Sequence, residues 1–175
     1  ELAPGATQKV QVTVNVPDGV EYNHAAWTVL MLDEVTKRAP LNPNSKGNTL
    51  ALGITPSLGF GVYVYQNPPD HALEKIEIEN FVFNDSTQTR KLILGATNSG
   101  EGIGFCTSYV ELTNLQTGEQ QKLKGQKFTI LPGFDRIFFY DLPKDIKPGK
   151  YSAVGVIDTN NPEQVTAAEL EFNIQ

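Results

Sequence analysis

Cysteine is nearly absent from this chain. Cys106 stands alone, which excludes an internal disulfide and a thiolate zinc site. In Gly104-Phe105-Cys106-Thr107, at the start of a strand, it reads as a buried structural thiol. One cysteine does not settle the compartment. Basic charge is also short: 14 Lys and Arg stand against 20 Asp and Glu, a net −6, with the lysines scattered. Nucleic acid or an anionic membrane surface needs a basic stripe, so neither is expected as a partner. No run approaches the roughly 20 apolar residues that cross a bilayer, so no membrane insertion is expected. No window keeps apolar residues at i, i+3, i+4 and i+7 over three turns, which argues against a long helix. There is no starting Met and no signal peptide before Glu1, which reads as a removed leader or a chain cut from something longer.

Turn formers are plentiful, with 15 Gly and 11 Pro, many spaced like the ends of short strands. That pattern favours an all-β protein. A phrase also occurs twice. Leu2-Ala3-Pro4-Gly5 leads into alternating Val10, Val12, Val14 and Val16, closes at Pro17-Asp18-Gly19, and a second strand opens at Trp27. Leu131-Pro132-Gly133 leads into Arg136-Ile137-Phe138-Phe139-Tyr140, closes at Leu142-Pro143-Lys144, and a second strand opens at Tyr151. A repeated strand–corner–strand unit implies two related β-sandwich domains in tandem.

The second domain, 71–175, reads as a complete seven-stranded immunoglobulin-like sandwich. Its strands are Leu73 to Phe83, Arg90 to Asn98, Phe105 to Leu115, a polar edge-type Gln120 to Ile130, Arg136 to Leu142, Tyr151 to Asp158 and Val165 to Ile174. Thr117-Gly118 is a hairpin signal, and Asn84-Asp85-Ser86 reads as a turn that also fits an N-glycosylation acceptor. The first domain, 1–70, has three strands: Lys9 to Val16, Ala26 to Leu32 and Gly59 to Tyr65. Pro68-Pro69-Asp70 is a stiff linker, and Lys37 to Asn48 a polar loop. Measured against the second copy, the first lacks its N-terminal half. Three strands bury too little apolar surface to offset chain entropy. The expectation is a truncated chain, or a partner that supplies the missing strands.

Signs of chemistry are weak. Gly100-x-Gly102-x-Gly104 opens a strand, whereas a phosphate loop opens a helix whose free amides face the anion. Asp158-Thr159-Asn160-Asn161-Pro162-Glu163 offers oxygens at short spacing but reads first as a turn, with a weak cation site as the alternative. His24 and His71 have no nucleophile placed beside them in sequence. Glu77 and Glu79 share an outward face while Ile76 and Ile78 point in. No catalytic residue, metal site or cofactor is expected.

Gly59-Phe60-Gly61-Val62-Tyr63-Val64-Tyr65-Gln66-Asn67-Pro68 resembles the last strand of the first domain in periplasmic pilus chaperones of the PapD type. The upstream Leu-Ala-Pro-Gly, Val-Pro and Trp pattern resembles the second half of that domain. The layout is also similar to Gram-positive surface proteins with tandem sandwich domains. The resemblance implies an exposed strand that pairs with an incomplete subunit, where backbone bonds give affinity and alternate side chains fill pockets. Val62 and Val64, or Tyr63 and Tyr65, would be the inserted row; a core strand is the competing reading. Tyr63 stands where the family carries one of its two basic anchors.

These observations predict a non-enzymatic protein of a bacterial periplasm or cell surface, chaperone-like or adhesion-associated. It would act on a protein partner or on itself by strand pairing, with dimerisation a hypothesis to test. The alternative is a carbohydrate-binding sandwich that stacks sugars on Trp27, Tyr63 and Tyr65. A buried Trp27 would favour the first, an exposed one beside Tyr63 the second.

Overall fold

The computed structural model of the chain describes residues 3–15, 17–20, 23–35, 57–68, 74–86, 89–159 and 165–175. Every regular element among them is a β-strand. β1 (Ala26–Asp33) and β2 (Gly59–Gln66) form an antiparallel ribbon of their own. Eight strands follow: β3 (Ile76–Ser86), β4 (Thr89–Asn98), β5 (Gly104–Asn114), β6 (Gln120–Lys122), β7 (Gln126–Ile130), β8 (Asp135–Asp141), β9 (Gly149–Asp158) and β10 (Val165–Ile174). They make two sheets, β3-β4-β8 and β10-β9-β5, with β6 and β7 sharing the outer edge of β5.

The two sheets face each other across one core. Alternation puts Leu92, Leu94 and Ala96 of β4 and Phe138 and Tyr140 of β8 on the inner face of one sheet. Val110 and Leu112 of β5, Tyr151, Ala153 and Ile157 of β9 and Phe172 and Ile174 of β10 answer from the other. Each Val, Leu, Ile or Phe among them, taken from water, contributes about 1.5–3 kcal/mol. Phe83 stacks on Phe172 across the layers with centroids 4.2 Å apart. Inside the core the Tyr140 hydroxyl donates to Ser108 Oγ at 2.6 Å, and burial pushes the phenol's pKa up.

Cys106 is buried on β5, as its setting predicts. Burial first, then the carboxylates of Glu74 and Asp158, pushes its thiol up from 9.0 to about 11. Ellman's reagent should therefore leave the native protein almost untouched and titrate one thiol in denaturant. Above pH 9 the unfolded chain loses this proton while the folded one keeps it. Stability should be full below that pH and fall as pH rises towards 11.

The structure departs from the sequence reading in three places. Gln120 to Ile130 is two strands, not one: Leu123 turns inward, its N–H donating to Val110 O at 2.8 Å, and divides β6 from β7. Asn84, Asp85 and Ser86 belong to β3 and pair with Lys91, Arg90 and Thr89, so the turn falls later than predicted. Lys9–Asn15, expected as a strand, pairs with nothing among the described residues, and Val10, Val12 and Val14 lie exposed. An alternating pattern becomes a strand only when a neighbour takes its backbone groups.

The corners of the repeat are built alike. In Ala3-Pro4-Gly5-Ala6 the Ala6 N–H donates to Ala3 O at 3.0 Å, with Gly5 at φ 77°. In Leu131-Pro132-Gly133-Phe134 the Phe134 N–H donates to Leu131 O at 3.2 Å, with Gly133 at φ 75°. Proline second and a left-handed glycine third make the same tight turn twice. The second corners match too, with Val20 N–H on Pro17 O and Ile146 N–H on Pro143 O.

Candidate functional site

The ribbon carries the residues read as a strand-pairing or sugar-stacking site, Trp27, Val62, Tyr63, Val64 and Tyr65. Register sets Trp27 opposite Tyr65, Val29 opposite Tyr63 and Met31 opposite Gly61, so these share one face. Ala26, Thr28, Leu30 and Leu32, with Val62, Val64 and Gln66, share the other. Trp27 is 41% exposed, Val62 48%, Tyr63 65% and Tyr65 36%. Val64 is half-buried, at a shallow hollow it shares with Val14, Ala26 and Thr28.

The aromatic face continues onto the end of the sandwich. Tyr63 and Tyr65 lie nearly parallel, with centroids 6.0 Å apart. Tyr65 meets Phe105 edge-on at 5.7 Å, and Trp27 meets Phe134 edge-on at 6.2 Å. Such contacts add about 0.5–1.5 kcal/mol each beyond burial. Phe105 and Phe134 were not read as site residues. The signal for Phe134 was its place directly after the Leu-Pro-Gly corner; Phe105 carried none.

Hydrogen bonds fix the ribbon at its foot. The Asn67 side chain treats Ile103 as a strand neighbour would: its Oδ1 accepts from Ile103 N–H at 2.8 Å and its Nδ2 donates to Ile103 O at 3.2 Å. Ala25 N–H donates to Glu101 O at 2.9 Å, and His24 Nδ1 pairs with the Glu101 carboxylate. The Gly100–Gly104 loop thus carries the ribbon. A two-stranded ribbon is marginal alone, and this footing supplies what its own pairing lacks.

Asn98 holds that loop in shape. It is fully buried, and its Nδ2 donates to Gly102 O at 2.8 Å and Ile130 O at 3.2 Å. Its Oδ1 accepts from Gly100 N–H at 3.0 Å and Lys75 N–H at 3.2 Å. Nearby, hydrogen bonds from Lys75 and Ser99 hold the Glu77 carboxyl below its usual range.

The other candidates lie elsewhere. His71 and Asn160–Glu163 lie outside the described residues, while Asp158 sits in β9 opposite Val165. Among the described residues no three His, Cys, Asp or Glu side chains gather as a metal site would require. A hollow of about 310 Å³ at the far end of the sandwich is bordered by Asn114, Thr117, Glu119, Asp145 and Lys147.

No protein-family model matches the chain, and no curated protein does. A solved β-glucosidase from Kluyveromyces marxianus is similar at 16% identity and a TM-score of 0.36, over 58% of this chain and 15% of that one. The chain spans only that small part of the enzyme's length, and likeness at this level carries no argument about activity.

Proposed function

We propose that this chain is a non-enzymatic interaction module of a bacterial envelope or surface, built of tandem immunoglobulin-like sandwiches and acting by strand pairing at the ribbon. The observation that carries the reading is an eight-residue antiparallel pair with apolar side chains on both faces and neither outer edge paired among the described residues. Edge strands are ordinarily blunted by lysine, proline or a bulge, and β1 and β2 hold none of these. Such an edge offers backbone bonds for affinity and alternate side chains for specificity, as the PapD-type resemblance implies. The immunoglobulin-like reading also draws on Tyr151, at the head of β9, whose hydroxyl donates back to Lys147 O at 2.9 Å in the manner of a tyrosine corner.

The exposure of Trp27 beside Tyr63 and Tyr65 favours the second reading, a sugar-stacking platform. Position in the repeat weighs against it. Trp27 pairs with Tyr65 as Tyr151 pairs with Phe172, and those two rings lie in the core. The aromatic face is thus half of a core waiting for its other half.

Native mass spectrometry over a concentration series separates the readings. Wild type should carry a co-purified peptide or form dimers, and Val29→Lys should abolish both while leaving the sandwich's urea midpoint in place. A bare monomer that the substitution does not change would sink strand pairing. Quenching or a blue shift of Trp27 fluorescence by a soluble polysaccharide, lost in Tyr63→Ala, would install the sugar platform instead.

A further inference from the structure

Strand pairing at the ribbon leaves four choices open: which edge, which face, which direction and what occupant. The repeat decides them. The matched corners put Lys9–Asn15 in the place of β8, β1 in the place of β9 and β2 in the place of β10. The pairing Trp27↔Tyr65 against Tyr151↔Phe172 fixes the register of that correspondence. In the sandwich β10 ends its sheet, whereas β9 is an inner strand with β5 on its other side. By position, then, β2 is a natural edge and β1 an inner strand without a second neighbour among the described residues.

Resting on the strand-pairing reading, we infer that the acceptor is the outer edge of β1, and that its occupant is an antiparallel strand of β5 character from outside these 175 residues. The register of β5 on β9 states the occupant's chemistry. Asn114 faces Tyr151, Leu112 faces Ala153 and Val110 faces Gly155. The occupant therefore sets aliphatic side chains beside Met31 and Val29, and a side chain able to bond backbone, as Asn114 does for Gln116 and Thr117 N–H, beside Trp27. It extends the sheet beyond β1, with those side chains on the same face as Trp27 and Val29, and leaves the opposite edge, that of β2, open. The chain's own Lys9–Asn15 is excluded as the occupant. Its counterpart β8 pairs with β4 in the other sheet, so that segment lacks a neighbour of its own.

The test is amide exchange on the full chain, with a synthetic peptide of residues 107–114 as the donor. With free peptide at about ten times its Kd, the outward amides of β1 should slow about tenfold, those of β2 not at all, and Trp27 emission should shift to the blue. Val29→Lys should remove the effect, and a scrambled peptide should never produce it. Protection on β2 instead would keep strand pairing and overturn the choice of edge. Slowed β1 exchange that grows with protein concentration without peptide would make a second copy the occupant and overturn the foreign strand. No protection on either edge, in a chain that stays monomeric, would overturn the inference and the strand-pairing reading together.

Discussion

Leu94→Ala should lower the stability of this protein by about 4 kcal/mol, read from the urea midpoint. Leu94 is fully buried on β4, the middle strand of its sheet, and faces Gly155 of β9 across the core. A methyl group built on Gly155 would stand 2.9 Å from Leu94 Cδ1 and 3.3 Å from Phe81 Cζ, so the leucine fills the space that the glycine leaves. Because β4 is paired on both sides, by β3 and by β8, the backbone cannot close on a cavity there. The top half of the usual range for such truncations is therefore expected. Gly155→Ala alone should also destabilise, through that contact. In the Leu94→Ala background it should cost much less, because the added methyl enters the vacated volume. Additive effects in that cycle would show that the two residues do not share space.

Asn98→Ala should cost about 3 kcal/mol, and unlike Leu94→Ala it should disturb Trp27. The substitution strips partners from Gly102 O, Ile130 O, Gly100 N–H and Lys75 N–H at once. A buried group left without a partner costs about 1–3 kcal/mol, and water entering at the loop recovers part of the total. The loop that loses its shape is the one that holds Ala25 through Glu101 and Asn67 through Ile103. Trp27 emission should accordingly shift to the red in the folded protein, before any denaturant is added. A stability loss without that shift would mean that the ribbon keeps its place without the loop.

How much of this was legible from the residues differs by level. Period-two alternation in Leu92, Leu94 and Ala96, and in Leu170, Phe172 and Ile174, marked strands whose partners lie inside the chain, and these strands formed. The same alternation in Val10, Val12 and Val14 marked a strand that did not form, because pattern specifies a face and not a neighbour. Proline and glycine located the corners well, since φ at Gly5 and Gly133 is a local demand. Asn98 and Asn67 went unread as joints of the fold. Asparagine in a strand or before proline has the same letter whether it turns, solvates or ties together four backbone groups. Its partners are up to 36 residues away, beyond any local pattern.

The division between ribbon and sandwich also sets an order of events during folding. A hairpin closes in about 1–10 μs, whereas sheets assembled from distant segments take milliseconds to seconds. The sandwich is of the second kind: Thr166 of β10 reaches back 90 residues to Ile76 O, and Arg90 reaches forward 85 residues to Gln175 O. Throughout that slow closure the ribbon lacks its footing on the Gly100–Gly104 loop, so β1 and β2 pair only part of the time and leave their edges and aromatic face open. The nascent chain is thus most prone to the wrong partner before its own sandwich exists, and synthesis at low temperature or with the edge already occupied should raise the yield of folded protein.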